Sequence, residues 1–468
     1  MNRLPLLCCA FLFSATLLSQ TQDTVAKPYQ ADAKRIISAG LASGQAYAML
    51  TDLTTNVGNR LSGSPQAAHA VEWAKVTMER LGFDRVRTES VMVPHWVRGP
   101  VEEASVIGDP KLGDVQLTIC ALGGSIATPP DGITAEVVEV KTFDELKALG
   151  DKAKGKIIFF NRPMDRTKIS TGEAYGGAVG QRGQGAVEAA KAGGVAALVR
   201  TMSTRIDDVP HTGAMNYNDQ VGKVPTAAVS TLDANWLDSL LSARSSVTVR
   251  LKLSCETLPD VESANVIGEI RGSEKPDEVV VIGGHLDSWD KGAGAHDDGA
   301  GCIHAIEALR LLKELGLRPK RTIRAVMFMN EENGTRGGKA YAAKVREGER
   351  PIAAIESDAG GFTPRGFGVS ADSATTARNP AIFQNVARWA YLFEPIDADR
   401  IKPGGGGADI GELAKQGAAT IGLRVDNHRY FDYHHSTSDT IDKVNERELE
   451  LGAAAVAILS YVLAQEGL

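Results

Sequence analysis

The chain has 468 residues, 43% of them hydrophobic and 23% charged, which suits a soluble globular protein of two or three domains. Its formal net charge of -7, with no basic run anywhere, argues against nucleic acid as a partner, because no cationic surplus exists to neutralise phosphates.

Met1 to Ser19 carries one arginine, Arg3, and then an apolar run, Leu4 to Leu18, too short and too near the terminus for a comfortable membrane span. It reads as a secretory signal over residues 1–19, with cleavage as late as Ala26 also conceivable, so the mature chain is expected to be secreted or periplasmic. Cys8 has almost no apolar run before it, which argues against a lipid-attached cysteine. Cys120, Cys255 and Cys302 remain, so at most one disulfide can form, and Cys302 reads as a small buried apolar residue.

Gly44 to Asn56 and Pro65 to Leu81 are predicted helices, the second capped by Ser64 and ended by Gly82; Arg85 to Val93 is a predicted strand. From Val101 to Leu253 short strand-like runs dominate: Ile133 to Val140, Lys156 to Phe160, Val195 to Arg200 and Val247 to Leu253, interrupted by one helix, Gly185 to Ala192. His211, Asp207 and Asp208 in this stretch read as solvated loop. Beyond Asn265 strands (Val279 to Ile282, Thr322 to Met329, Ile352 to Ile355, Thr420 to Leu423) alternate with helices (Gly299 to Leu315, Gly338 to Arg346, Asn379 to Leu392, Asn445 to Ala464). The fold class is therefore α/β, a mainly parallel-centred mixed sheet with helices on both faces. Residues 27–100 and 261–468 form one catalytic domain, and residues 101–260 are a β-rich insertion.

Four ligand-type clusters follow predicted strands. Gly283 and Gly284 are read as a tight turn after the first strand, leading to His285, Asp287, Asp297 and Asp298; the others are Asn330-Glu331-Glu332-Asn333, Glu356-Ser357-Asp358 and Tyr433-His434-His435-Ser436-Thr437-Ser438-Asp439-Thr440. All can converge at the carboxyl edge of one sheet, where open α/β folds place ligands. Histidines and carboxylates without thiolates suit zinc, and the set is too large for one ion. With one bridging carboxylate, two histidines and three carboxylates serve two metals about 3.5–4 Å apart. Adjacent Glu331 and Glu332 cannot point the same way from extended backbone, so one can bind metal while the other handles a proton.

Gly283-Gly284-His285-Leu286-Asp287-Ser288-Trp289, the Asp297-Asp298-Gly299 turn, Glu331-Glu332, Glu356-Ser357-Asp358 and His435-Ser436-Thr437-Ser438-Asp439-Thr440 resemble the co-catalytic zinc aminopeptidase family. The likeness implies two zinc ions per subunit: His285 and Asp358 would hold one, Glu332 and His435 the other, Asp297 would bridge them, and Glu331 would be the general acid/base. Asp287 and Asp439 would stand behind the ligands, Asp287 fixing the ring of His285. Where several relatives have a tyrosine that donates to the tetrahedral oxyanion, this chain has His434, which can do the same through a ring N–H. His296 and His428 have no matching role. The insertion resembles a protease-associated domain, a lid shaping access, and such relatives are secreted and often homodimeric. The resulting expectation is a metallo-exopeptidase acting on short peptides, foremost dipeptides with free termini. A broader aminopeptidase is the alternative; a non-catalytic receptor or scaffold is disfavoured because no ligand is missing. Gly404 to Asp409 is expected to line the pocket.

Overall fold

The computed structural model describes residues 27–345, 348–371 and 373–468, so the expected signal segment lies outside the described residues. Two eight-stranded sheets organise the chain. At the centre of the first, Arg321–Phe328, Lys275–His285, Arg350–Glu356 and Ala419–Val425 lie side by side and parallel. Antiparallel strands flank them, Arg85–Val97 and Glu256–Ile270 on one side, Pro364–Ser370 on the other, with Arg400–Pro403 at the far edge.

The β-branched run Val279 to Ile282 is buried on both faces, as its composition predicts. Val279 and Val281 join Ile267, Val326, Phe328, Tyr341 and Leu413 on one face; Val280 and Ile282 belong to the larger core on the other. Each such side chain contributes about 1.5–3 kcal/mol relative to exposure. That larger core holds the helices Ala300–Glu314 and Glu446–Glu466, which pack on each other. The second is apolar and long enough to cross a membrane, but residues 449–464 are buried against protein. It is the central helix of a core.

The predicted strand Arg85 to Val93 is longer than expected, Arg85–Val97, and pairs with Glu256–Ile270 around an irregularity at Pro94. Between these two strands the chain builds the second sheet from residues 102–253. Its centre is parallel too (Ile133–Val140, Ile157–Phe160, Ala196–Arg200, Thr226–Val229), and it carries four α-helices where the sequence reading expected one. Three of them, Phe143–Leu149, Thr171–Ala178 and Thr231–Ala243, start at Thr142, Ser170 and Ser230, whose hydroxyls accept from the backbone N–H three residues on. The fourth, Gly180–Lys191, extends the predicted one.

The two sheets are stitched together. Trp289, in the loop after Lys275–His285, joins the second sheet's core with Leu61 and Trp96. Arg98 pairs with Asp290 at 2.6 Å, and Lys291 pairs with Glu102. Cys120, Cys255 and Cys302 are all free and buried.

Candidate metal centre

Four adjacent parallel strands deliver the predicted ligands to one edge. Strand Lys275–His285 ends on His285; Glu331 and Glu332 follow Arg321–Phe328, Asp358 follows Arg350–Glu356, and His435 sits in the loop after Ala419–Val425. Gly283 and Gly284 are not a turn, as the sequence suggested, but the last strand residues before His285. Gly284 serves close approach, since a Cβ there would stand 2.3 Å from Asp298 Oδ2.

His285 Nε2 lies 3.3 Å from Asp297 Oδ1 and 3.6 Å from Asp358 Oδ1. His435 Nε2 lies 3.2 Å from Asp297 Oδ2 and 3.1 Å from Glu332 Oε2. The two oxygens of Asp297 thus face two different imidazoles. A tetrahedral zinc with bonds of about 2.0–2.1 Å holds its ligand atoms about 3.3 Å apart, so these separations fit two ions sharing Asp297. Asp297 Oδ2 is buried and accepts no well-directed hydrogen bond. The donor set fits zinc in chemistry and in spacing.

The backbone around these ligands is pinned from behind. Asp439 accepts from the N–H of His296 at 2.7 Å and of Asp297 at 3.1 Å. Asp298 accepts from the N–H of His285 at 3.0 Å and of Gly301 at 2.9 Å. Arg60, fully buried, donates to the carbonyls of Leu286, Ala293 and Gly294, so one guanidinium ties both ends of the loop between His285 and Asp297. The expected role of Asp287 changes. His285 Nδ1 bonds the Asp287 backbone carbonyl at 2.9 Å, with the carboxylate 3.9 Å away. That carboxylate instead accepts from the N–H groups of Asn330 and Glu331 at 2.7 and 3.1 Å, positioning the loop that carries the two glutamates.

Burial and crowding set the charges of the metal-free centre. Burial alone would push the His435 imidazole down, but Glu332 and Asp297 overturn this and push it up to about 10. His285 is likewise raised, by Asp297 and Asp358 against burial. Burial raises Glu332 to about 7, and it raises Glu331 well above the usual carboxylate range, with Asp358 and Glu332 adding to the shift. A metal ion held by these histidines would have to displace their protons, so its affinity would fall with falling pH.

His434 stacks on His435, ring centroids 3.4 Å apart and planes 19° apart, with its Nε2 3.7 Å from Asp297 Oδ2. Two imidazoles on one tetrahedral ion would hold their centroids about 5 Å apart. His434 is therefore no co-ligand with His435, and its Nδ1 has no hydrogen-bond partner among the described residues. Burial first and then His435 hold it neutral, which leaves one ring N–H to donate. Tyr430, unremarked in the sequence, is buried beside His434 at 5.2 Å between centroids, where burial and then Asp297, Asp358, Asp298 and Glu332 raise its phenol. His296 is buried between Phe362 and Tyr433, while His428 is exposed and pairs with Asp426. Gly407 packs on the carboxyl of Glu356, and the buried Asp409 lies near enough to Glu331 to feel its charge.

His211 is not solvated loop; it is 2% exposed and lies beside His434 and His435. Next to it, the Thr212 N–H donates to the His435 carbonyl at 3.0 Å. Arg182, also in the segment read as a lid, comes within 3.4 Å of His435 Nδ1. The segment touches the metal centre itself, and no pattern in Pro210-His211-Thr212-Gly213 announces that contact, because it exists only once two sheets dock.

Comparison with known proteins agrees with this geometry. Residues 265–460 match peptidase family M28. The chain is 38% identical to carboxypeptidase Q of Bos taurus over 436 residues, covering 92% of this chain and 88% of that protein. It is 38% identical to carboxypeptidase Q of Homo sapiens over 437 residues, with the same coverage. Among solved structures, the peptidase M28 precursor of Shewanella amazonensis SB2B superposes with a TM-score of 0.88 at 36% identity, covering 94% of this chain and 97% of that one. BSAP, a zinc aminopeptidase from Bacillus subtilis, shares the fold with a TM-score of 0.65 at 21% identity, covering 91% and 96%. A parallel sheet edge that gathers histidines and carboxylates around one shared aspartate, in a chain this similar to carboxypeptidase Q over nearly its whole length, belongs to a zinc metallopeptidase of peptidase family M28.

Proposed function

We propose that this chain is an exported two-zinc exopeptidase that hydrolyses short peptides, foremost dipeptides with both termini free. The observation that carries this reading is the placement of Asp297 between His285 and His435, with Asp358 beside the first and Glu332 beside the second. His285, Asp358 and Asp297 would hold one ion; Glu332, His435 and Asp297 the other. Bound there, the ions would supply Lewis acidity toward the scissile carbonyl and acidify the attacking water.

Glu331 takes the proton of the attacking water and passes it to the leaving amine. Desolvation in the crowded centre raises its carboxyl, so once ionised it is a stronger base than an exposed glutamate. Asp287 holds the Glu331 backbone, which keeps the carboxyl on station between steps. His434 donates its remaining N–H to the oxyanion as negative charge develops there. A carboxylate faces each metal-binding imidazole, so the chain presents neutral, correctly turned rings at neutral pH only when the ions displace those protons.

The apolar run at Leu4 to Leu18 supports export, and residues 101–260 are read as a protease-associated-like segment; family likeness supports a homodimer. Parallel assays of a dipeptide, its N-acetyl form and its C-terminal amide test the substrate class. Turnover of the unblocked dipeptide alone is expected. Equal turnover of the amide would favour the broader aminopeptidase, and turnover of the acetylated form would overturn the exopeptidase reading.

A further inference from the structure

The residues of the second sheet that reach His435 include an unusual cation. Arg182 is 8% exposed, lies on the helix Gly180–Lys191, and forms no ion pair among the described residues. A buried guanidinium without a carboxylate is expensive to keep. Its hydrogen-bond acceptors are neutral: it donates to the Tyr175 hydroxyl at 2.7 Å and to the Thr212 carbonyl at 3.5 Å, and its Nε has none among the described residues. The same Thr212 carbonyl lies 3.3 Å from His435 Nδ1, and Arg182 Nη1 lies 3.4 Å from that nitrogen.

The Thr212 carbonyl fixes how the His435 ring is turned, whereas Arg182 Nη1, a donor itself, shares that carbonyl and does not bond a protonated Nδ1. Thr212 O can only accept, so Nδ1 donates to it, which turns Nε2 toward Asp297 and Glu332, where a bound ion would take the place of the Nε2 proton. The opposite ring orientation would turn Nε2 away from them and abolish ligation. Arg182 fixes the carbonyl that enforces the productive orientation. Thr212 is held from other directions as well. Its hydroxyl donates to the Ala121 carbonyl at 2.9 Å and accepts from Arg98 at 3.2 Å, and its N–H ties back to the His435 carbonyl. Gly213 completes the clamp: its φ of 136° disfavours any side chain, and a Cβ there would stand 2.5 Å from the Arg182 guanidinium carbon.

We propose that Arg182 and the Thr212 carbonyl are a positioning pair for His435, so that the second metal position is completed across the junction between the two sheets. The inserted segment is then part of the metal centre as well as its cover. This inference rests on the two-metal reading above, and metal titration separates the two. Zinc stoichiometry and affinity are measured on the full chain by competition with a chromophoric chelator, and cobalt absorption reports the geometry of each site. In R182Q and G213A one zinc should bind as in wild type, while affinity for the other falls about 10- to 100-fold with a changed cobalt spectrum. R182K, which keeps the charge and one donor, should recover part of the loss. General destabilisation would weaken both sites alike, which overturns a positioning role. Two zincs at wild-type affinity in both R182Q and G213A also overturn the proposal, and if R182Q fails to fold, G213A and R182K decide by the same titration. A wild-type chain that binds a single zinc would instead refute the two-metal reading.

Discussion

Glu331 and Glu332 are neighbours in sequence, the first half-buried and the second buried, and are assigned opposite duties. Glu332 Oε2 stands 3.1 Å from His435 Nε2, and its Oε1 accepts from the Trp289 N–H at 3.2 Å. In Glu332→Gln the amide must choose: with its oxygen toward Trp289 it presents an NH2 group to the metal position, and with its oxygen toward the metal it sets NH2 against N–H. Either way a charged ligand becomes a neutral, badly oriented one, so one zinc should be lost or weakened before anything else changes. Among the described residues Glu331 is hydrogen-bonded only through its backbone, its N–H to Asp287 and its carbonyl to the Gly334 N–H. Glu331→Gln therefore should keep both zincs and the fold, while kcat falls about 10²- to 10⁴-fold, or about 3–5 kcal/mol of barrier, with KM little changed. Zinc per chain by elemental analysis and steady-state kinetics on an unblocked dipeptide are measured on the same preparations. If Glu331→Gln loses a zinc while Glu332→Gln keeps both, the roles are reversed and the mechanism fails.

Other side chains give sharper discrimination than activity alone. His434→Gln should lower kcat about 10²- to 10³-fold with zinc content intact, as for a lost oxyanion donor, whereas Tyr430→Phe should change it less than about tenfold; the opposite ranking would make the Tyr430 phenol the donor. Arg60→Met leaves three loop carbonyls without their donor and should cost about 3–5 kcal/mol in denaturant melts of the metal-free chain; an unchanged midpoint would contradict the bracing role. Burial lowers His304 to about 3, with its Nδ1 2.9 Å from Ser357 Oγ. Because the folded value lies below the unfolded one, its stabilising share is present above about pH 6.5 and is lost as pH falls toward 3, roughly 2 kcal/mol between pH 7 and 5. His304→Gln should flatten the fall of Tm with acid over that window, whatever its stability at pH 7, and an unchanged slope would show that His304 does not titrate on unfolding.

The catalytic half was legible because its signals are local. Val279 to Ile282 announces a strand buried on both faces, and ligand-type residues stand directly after each predicted strand of the parallel centre, so strand order alone brings them together. The second sheet was underread for a different reason. Its helices are short, and three are signalled chiefly by caps: Thr142 three residues before Glu145, Ser170 before Glu173, and Ser230 before Asp233. Reading those caps would have found the helices. Pro364–Ser370 and Arg400–Pro403 hide behind glycine and proline, which sheets tolerate toward an edge. The roles of Arg182, His211 and Thr212 had no local signal at all. They depend on the docking of residues more than two hundred positions from His435, and a buried arginine is indistinguishable from a solvated one until its surroundings are known. The bond from His285 to the backbone of Asp287, rather than to its carboxylate, is likewise a matter of loop geometry and not of residue type.

In the proposed mechanism two zinc ions share Asp297 and act together. It is tested most directly by stripping the full chain of metal, adding zinc in steps, and following bound zinc and dipeptide hydrolysis on the same sample. The geometry predicts that the rate reaches its plateau only as occupancy approaches two zincs per chain, and that Asp297→Asn weakens both sites. A full rate at one zinc per chain, with no further change as a second is offered, would contradict it.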